Sequence, residues 1–353
     1  MSVPSLLSIF GNSGSGLYKG AILISFVQSP HVLAYEWTSG SGFGTKYANP
    51  SPAVHPNQGS AQAKGVKFTP DGANAVLASS HSPYVHAYAW TSSSGFGTKY
   101  SNPSTLPTGQ ASGLDISPDG AAVAVAHFSS PYISVYPWSG SGFGTKYSNP
   151  SGSLSSYSMG VAFNVDSASI AIVSGSSPWV HAWAWTSASG FGTKYSNPSS
   201  LPANNAQCVR FSPDGTKIAV GTGNSPYIAV YNWSASGFGT RYSNPSTLPA
   251  LEGLDVIWSP DGANIAVTHI DAPRVSVYPW SGSGFGTKYS NPSTAIPDTG
   301  YGVQWSPDGA DIVITHQDSP YVSAFPWDAG FGTKYANPST LPSGTTYKSA
   351  FSP

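Results

Sequence analysis

Residues 142–147 read Gly-Phe-Gly-Thr-Lys-Tyr, and this motif occurs seven times along the chain, once with arginine in place of lysine. Its phenylalanine returns at intervals of 53, 47, 48, 47, 47 and 46 residues. A period in this range is typical of an array of equivalent structural units. A motif common to every unit is expected to serve the scaffold, so unique chemistry is expected where the units differ. The seven phenylalanines are Phe43, Phe96, Phe143, Phe191, Phe238, Phe285 and Phe331.

One unit, residues 113–150, shows what is repeated. A Ser-Pro-Asp-Gly sequence at 117–120 has the proline and glycine that a tight turn requires. Asn149-Pro150 ends the unit, and no helical period is present. Each unit is therefore predicted to be a four-stranded antiparallel meander, whose strands we label A to D in chain order. The predicted strands of this unit are 114–116, 122–126, 132–138 and 144–148.

Strand B is apolar throughout, as in residues 170–173 and 265–267, which indicates a strand covered on both faces. Sheets arranged radially around an axis meet that requirement. Residues 349–353 match the strand A and turn of other units, whereas residues 21–25 match strand B. We therefore predict an all-β fold, a seven-bladed β-propeller over residues 17–353 that is closed by the C-terminal strand joining blade one.

Residues 1–16 are then surplus to the ring. They are predicted to be an N-terminal extension that tethers the propeller to a larger assembly. The competing interpretation is that residues 7–9 themselves form the inner strand of blade one.

The composition excludes several classes of function. Only 8% of residues are charged and the net charge is −1, which argues against binding to nucleic acid or to an anionic membrane surface. The single cysteine, Cys208, excludes an intrachain disulfide and a cysteine-built metal site. Neither a signal peptide nor a stretch of transmembrane length is evident, so folding in a cytoplasm is expected.

Residues 211–220, Phe-Ser-Pro-Asp-Gly-Thr-Lys-Ile-Ala-Val, resemble the repeats of WD-repeat-like propellers. Copies of the turn lie at Asp71, Asp119, Asp261 and Asp308. The Gly-His and Trp-Asp pairs of the eukaryotic family are absent, apart from Trp327-Asp328. The resemblance implies the fold and says little about function, because such propellers have many roles.

The longer phrase Gly-Phe-Gly-Thr-Lys-Tyr-Ser-Asn-Pro-Ser-Thr-Leu-Pro, at residues 95–107, is similar to repeats of tailed-bacteriophage proteins. This resemblance implies a virion component of the tail or the host-recognition apparatus, assembled in the host cytoplasm and present in several copies. Its partners would be other virion proteins, or a receptor or glycan of the host surface.

The two faces of the predicted disc differ. The A–B and C–D connections emerge on one face and are nearly identical between units, whereas the B–C turns and D–A loops emerge on the other and vary. We call the second one the variable face and predict that it binds partners. The alternative is drift in unconstrained loops.

Candidate contact residues lie in the B–C turns. An aromatic side chain after the turn's proline can stack on a sugar or anchor a protein partner, or it can pack on its own proline. Histidines near the turn are expected to form turn hydrogen bonds, because a metal needs three or four converging ligands. The candidate residues are Tyr84, Tyr132, Trp179, Tyr227, Arg274, Tyr321, His127, His269, Asp271, His316 and Asp318.

No arrangement of residues predicts catalysis, a metal or a cofactor. We therefore expect a non-enzymatic binding or structural propeller of a phage virion. The alternatives are a multivalent carbohydrate-binding lectin and a metal-dependent hydrolase. The motif's cations are expected to discourage edge-to-edge pairing of the outermost strands. They are Lys46, Lys99, Lys146, Lys194, Arg241, Lys288 and Lys334.

Overall fold

The structure is a computed structural model that describes residues 17–55, 61–152 and 154–353. These residues form 27 β-strands in seven antiparallel sheets and no helix. No helix able to cross a membrane is present in this part of the chain. The strands are β1 (Lys19–Phe26), β2 (Val32–Thr38), β3 (Gly42–Lys46), β4 (Ala63–Phe68), β5 (Asn74–Ser79), β6 (Val85–Thr91), β7 (Gly95–Lys99), β8 (Ala111–Ile116), β9 (Ala122–His127), β10 (Ile133–Ser139), β11 (Gly142–Phe143), β12 (Ser158–Phe163), β13 (Ser169–Ser174), β14 (Val180–Thr186), β15 (Gly190–Lys194), β16 (Ala206–Phe211), β17 (Lys217–Thr222), β18 (Ile228–Ser234), β19 (Gly237–Arg241), β20 (Gly253–Trp258), β21 (Asn264–His269), β22 (Val275–Ser281), β23 (Gly284–Phe285), β24 (Gly300–Trp305), β25 (Asp311–His316), β26 (Val322–Pro326) and β27 (Thr346–Phe351).

The predicted seven-bladed β-propeller is confirmed. Six sheets have four strands each, and blade two, for example, has the order β4-β5-β6-β7. In blade seven the fourth strand is reduced to a single bridge between Trp327 and Phe331. In blade three strand D is limited to Gly142-Phe143, where Phe143 pairs with Trp138, so the predicted strand at 144–148 is wrong there. In blades one, two, four and five strand D also begins at the motif's first glycine, and it runs to the motif's cation.

The predicted closure of the ring is also confirmed. Strand β27 pairs antiparallel with β1, with Phe351 opposite Ile22. The Tyr18 hydroxyl donates to the Ser352 carbonyl at 2.7 Å, which adds a side-chain contact to the same seam. The predicted extension 1–16, and the alternative strand at 7–9, lie outside the described residues.

The core lies between the blades. Strands β5, β9, β13 and β25 are buried along their whole length, because each sheet packs against a neighbour on both faces. Each buried valine, leucine or isoleucine contributes about 1.5–3 kcal/mol relative to an exposed one. Repeated burial of this kind explains how a chain with few charges forms a stable body.

The repeated motif joins each blade to the next through aromatic rings. Within blade three, Phe143 packs edge-on against Trp138, with ring centroids 5.0 Å apart. The motif's tyrosine, Tyr147, packs in the same way on Trp185 of blade four at 5.1 Å. The same tyrosine-to-tryptophan contact recurs at every junction, at 6.0 Å across the closing seam between Tyr335 and Trp37.

The motif's cation has a contact of its own. The Lys146 ammonium donates to the Asn149 side-chain oxygen at 2.5 Å and to the Tyr147 carbonyl at 3.2 Å. It therefore holds the Asn-Pro sequence that ends the repeat unit. Lys46, Lys288, Lys334 and Arg241 make the corresponding asparagine contact in their blades. The role against edge pairing stays a prediction.

Candidate functional site

The B–C turns on the variable face share one backbone form. Each contains a cis proline bond followed by a residue whose φ is between 64° and 71°. In blade three the Tyr132 N–H donates to the Ser129 carbonyl at 2.7 Å and closes the turn. The residues at this place are His31, Tyr84, Tyr132, Trp179, Tyr227, Arg274 and Tyr321.

The aromatic members of this set are half-buried. Tyr84, Tyr132 and Trp179 pack against the apolar clusters that lie between their own blade and the next. The structure does not bring the set together, because each ring sits at its own junction. A role in partner contact stays a prediction for Tyr84, Tyr132, Trp179, Tyr227 and Tyr321.

Arg274 is the charged member of the set. Its guanidinium lies 3.8 Å from Asp271 in its own turn and 3.7 Å from Asp298 in the following D–A loop. The Asp271 and Asp318 carbonyls accept turn N–H groups at 2.8 and 2.7 Å. Both aspartates are exposed, so their carboxylates remain at the surface.

The three predicted histidines point into the blades. His127, His269 and His316 are fully buried, and burial lowers the pKa of each to about 4. In each case Nε2 bonds to a serine on strand C, as between His127 and Ser134 at 3.1 Å. These rings are structural cross-strand partners, and they have no access to the variable face.

Blades two and four contain the same bond, but there the serine lies on strand B and the histidine lies on strand C. Ser79 and Ser174 end strand B there, and they bond to His86 and His181 on strand C at 3.3 and 3.2 Å. Within the part of the chain that the structure describes, no three histidine, cysteine or carboxylate side chains are placed to hold a metal ion.

The central channel holds charged groups that the sequence prediction did not include. The seven inner strands surround a cavity of about 40 Å³. That volume has room for a few water molecules, since one needs roughly 10–15 Å³. The charged side chains that line it are Lys64, Lys67, Arg210, Asp255 and Lys348.

Two carboxylates form ion pairs with three of these four cations. Asp115 lies 3.0 Å from Lys67 and accepts the Phe163 N–H at 2.8 Å. Asp255 lies 3.0 Å from Lys348 and 3.8 Å from Arg210. Each carboxylate therefore ties together inner strands of different blades.

Lys64 differs from the other channel cations. It is half-buried, and its ammonium lies 3.7 Å from the ring centroid of Tyr347. Among the residues that the structure covers, no carboxylate is within ion-pair distance of it. Burial lowers the pKa of Lys64 to about 8. A lysine of this kind is partly neutral at mildly alkaline pH.

Lys64 belongs to the variable-face end of the channel. It is the second residue of β4, directly after a D–A loop. The sequence held a signal for this cluster, because charged residues occur on inner strands at places where other blades carry uncharged residues. Asp115 and Asp255 are recognisable near the inner strands, but no local spacing links them to the cations with which they pair.

The fold resembles solved structures that are named for an activity. A protein from Bacteroides fragilis, described as a candidate 6-phosphogluconolactonase, is 13% identical, with a TM-score of 0.75 over 96% of this chain and 99% of its own. The periplasmic gluconolactonase of Pseudomonas aeruginosa is 14% identical, with a TM-score of 0.73 over 95% and 99%. No protein-family model and no curated protein matches the sequence. At such identities the likeness establishes the fold alone.

These neighbours correct the functional prediction. The expectation of a non-enzymatic phage virion component, and the exclusion of an enzyme, are wrong, because these neighbours are named as lactonases and neither is a phage protein. The error has a physical origin. A missing catalytic motif does not exclude a site, because side chains that meet in the channel come from strands that are distant in sequence.

Proposed function

We propose that this chain hydrolyses a sugar lactone at the variable-face opening of its central channel. One observation carries the proposal, the half-buried amine of Lys64 without a carboxylate partner. The fold supports it, because the similarity to proteins named as 6-phosphogluconolactonase or gluconolactonase extends over 94–96% of this chain. A cavity of about 40 Å³ is smaller than a sugar, so the substrate lies at the opening.

Lys64 acts as the general base. A side chain does this best when its pKa is close to the working pH, and the pKa of Lys64 is about 8. The neutral amine takes a proton from water while the water oxygen bonds to the lactone carbonyl carbon. The ring C–O bond then breaks, and the Lys64 ammonium returns the proton to the leaving alkoxide. The product is the open-chain hydroxy acid.

The other cations of the channel stabilise negatively charged groups that bind or form near them. Lys67, Lys348 and Arg210 pair with Asp115 and Asp255, so the channel carries one more cation than the two carboxylates neutralise. Fixed positive charge stabilises the oxyanion that develops on the carbonyl oxygen. It also favours a substrate that carries a phosphate or carboxylate.

The test is lactone hydrolysis by the purified protein. Glucono-1,5-lactone and its 6-phosphate are supplied at pH 6 to 9, and acid release is followed in a pH-stat above the spontaneous rate. We expect acceleration that rises with pH and levels off above about pH 8, as Lys64 becomes neutral. Lys64→Met is expected to lower the rate by about 10²–10⁴-fold.

Lys217→Met is the matched control, because Lys217 pairs with Asp214 at 3.2 Å on the opposite face. It removes one lysine and is expected to leave the rate unchanged. The proposal is rejected if the wild type adds nothing to the spontaneous rate. It is also rejected if both variants lose activity equally.

A further inference from the structure

Four of the eight histidines in the chain meet on the variable face between blades one and two. The His55 ring centroid lies 5.6 Å from His31, 6.2 Å from His81 and 4.7 Å from His86. His31 and His81 belong to B–C turns, and His86 lies on β6. His55 belongs to the D–A loop of the longest repeat interval, the one of 53 residues.

Three of these rings are buried without hydrogen bonds to some of their nitrogens. His31, His55 and His86 are 0%, 4% and 1% exposed. Among the described residues, no partner bonds to either nitrogen of His31, to Nε2 of His55 or to Nδ1 of His86. The main-chain groups of Phe26, Val27 and His55 act on His31, and each favours its protonated form. Buried polar atoms of this kind require an explanation, because most buried polar groups are paired.

The surroundings of the cluster oppose positive charge. Burial is the main cause that lowers the pKa of His31, of His55 to about 4, and of His86 to well below its usual value. The charged groups that act on these rings are the other histidines and Lys99, all of which are cations when protonated. Protonation of one ring therefore disfavours protonation of the next while the cluster stays closed.

We infer that these four histidines form an acid-sensitive latch, which holds the described part of the D–A loop, residues 47–55, against blade two while the buried rings are neutral and releases it when they are protonated. The inference goes beyond the proposed lactonase activity and does not depend on it. His81 links the cluster to the start of β4, because its Nδ1 lies 2.9 Å from the Ser80 hydroxyl oxygen. There the Gln62 N–H donates to the Ser80 hydroxyl at 2.9 Å, and the Ser80 N–H donates to the Gln62 carbonyl at 2.8 Å.

The direction of the pH effect follows from the lowered pKa values. A ring that stays neutral when closed and binds a proton when open stabilises the closed state above pH 6.5, and this stabilisation is lost as the pH falls below that value. Each such ring raises the open population by about tenfold at one pH unit below 6.5. His55 and His86 together allow an increase of up to about a hundredfold at pH 5.5, and the lowered pKa of His31 acts in the same direction.

Hydrogen exchange of the whole chain tests the latch. Exchange is followed by mass spectrometry at pH 7.5 and 5.5 and corrected for the intrinsic rate at each pH. We expect the peptide containing the Ser80 amide to lose protection by more than about tenfold, because several buried rings contribute. The corresponding amide of blade three, Phe128, bonds to Gln110 at 3.0 Å beside the single buried ring of His127, and its loss of protection is expected to stay within about tenfold. Equal loss at both places would overturn the inference.

Variants separate the cluster from buried histidines in general. The double variant His31→Gln with His55→Gln is expected to lose the acid response at Ser80. His127→Gln removes an isolated buried ring and is expected to retain it. If the double variant does not fold, an NMR titration of wild-type histidine rings decides. Independent titration of the cluster near pH 6.5, without opening, would contradict the latch.

Discussion

Gly142→Ala tests whether the aromatic joint between blades depends on the motif's first glycine. Gly142 has φ of 101° and lies beneath Tyr100 of the preceding blade. A Cβ added there would be 3.2 Å from Tyr100 Cδ1. The ring is not free to move away without loss, because its centroid lies 5.2 Å from that of Trp138 in an edge-on contact.

The expected loss of stability in the Gly142→Ala variant is the sum of two effects. A residue with a Cβ costs about 1–2 kcal/mol in a left-handed conformation. Loss of the edge-on aromatic contact costs a further ~0.5–1.5 kcal/mol. With an unfolding entropy of about 2.1 cal/mol/K per residue, the 353-residue chain should lose about 2–5 °C in Tm.

Scanning calorimetry at several scan rates measures this shift, and Gly140→Ala is the matched control. Gly140 lies in the same link, but no atom is within 4 Å of an added Cβ. Its substitution is expected to change stability by less than about 0.5 kcal/mol. The reasoning is refuted if the two alanine variants have the same Tm.

Two further predictions concern the seam and the thiol. Deletion of residues 346–353 removes β27, which is the partner of β1. We therefore expect the truncated protein to lose the cooperative thermal transition in near-UV circular dichroism. A truncated protein with the wild-type transition would contradict the role of the closing strand. Burial raises the pKa of the Cys208 thiol to about 12, so we expect Cys208 to react with a disulfide reagent at pH 8 only in denaturant; rapid reaction of the native protein would show that the thiol is accessible.

The fold was predictable because its determinants are local and repeated. Turn residues, apolar runs and a fixed period define four strands per unit. The match between residues 349–353 and the strand A of other units predicts the ring closure. The boundaries were less accurate: His127 was assigned to a turn, yet it is the last residue of β9. A shift of one residue along a strand moves a side chain to the other face. The prediction therefore placed the His127 ring at the surface, whereas the ring is buried.

The candidate site was less predictable, because it is assembled across blades. Lys67 and Asp115 occupy equivalent places on neighbouring inner strands, and they meet only when the sheets are arranged radially. Lys348 reaches Asp255 only because the C-terminal strand belongs to blade one. No local spacing encodes such pairs. The four-histidine cluster escaped notice for the same reason, since its members come from two blades.

The histidine–serine bond has its histidine on strand B in some blades and on strand C in others. This difference limits how the repeat units can be recombined. Joining β8 and β9 of blade three to the second half of blade two would place His127 opposite His86, and the reverse exchange would place Ser79 opposite Ser134. Either hybrid lacks the bond that both parents have. A crossover in a D–A loop keeps each pair intact. Shuffling of these units should therefore succeed between whole blades, and it should fail at a B–C turn that joins blades with opposite placement of the two residues.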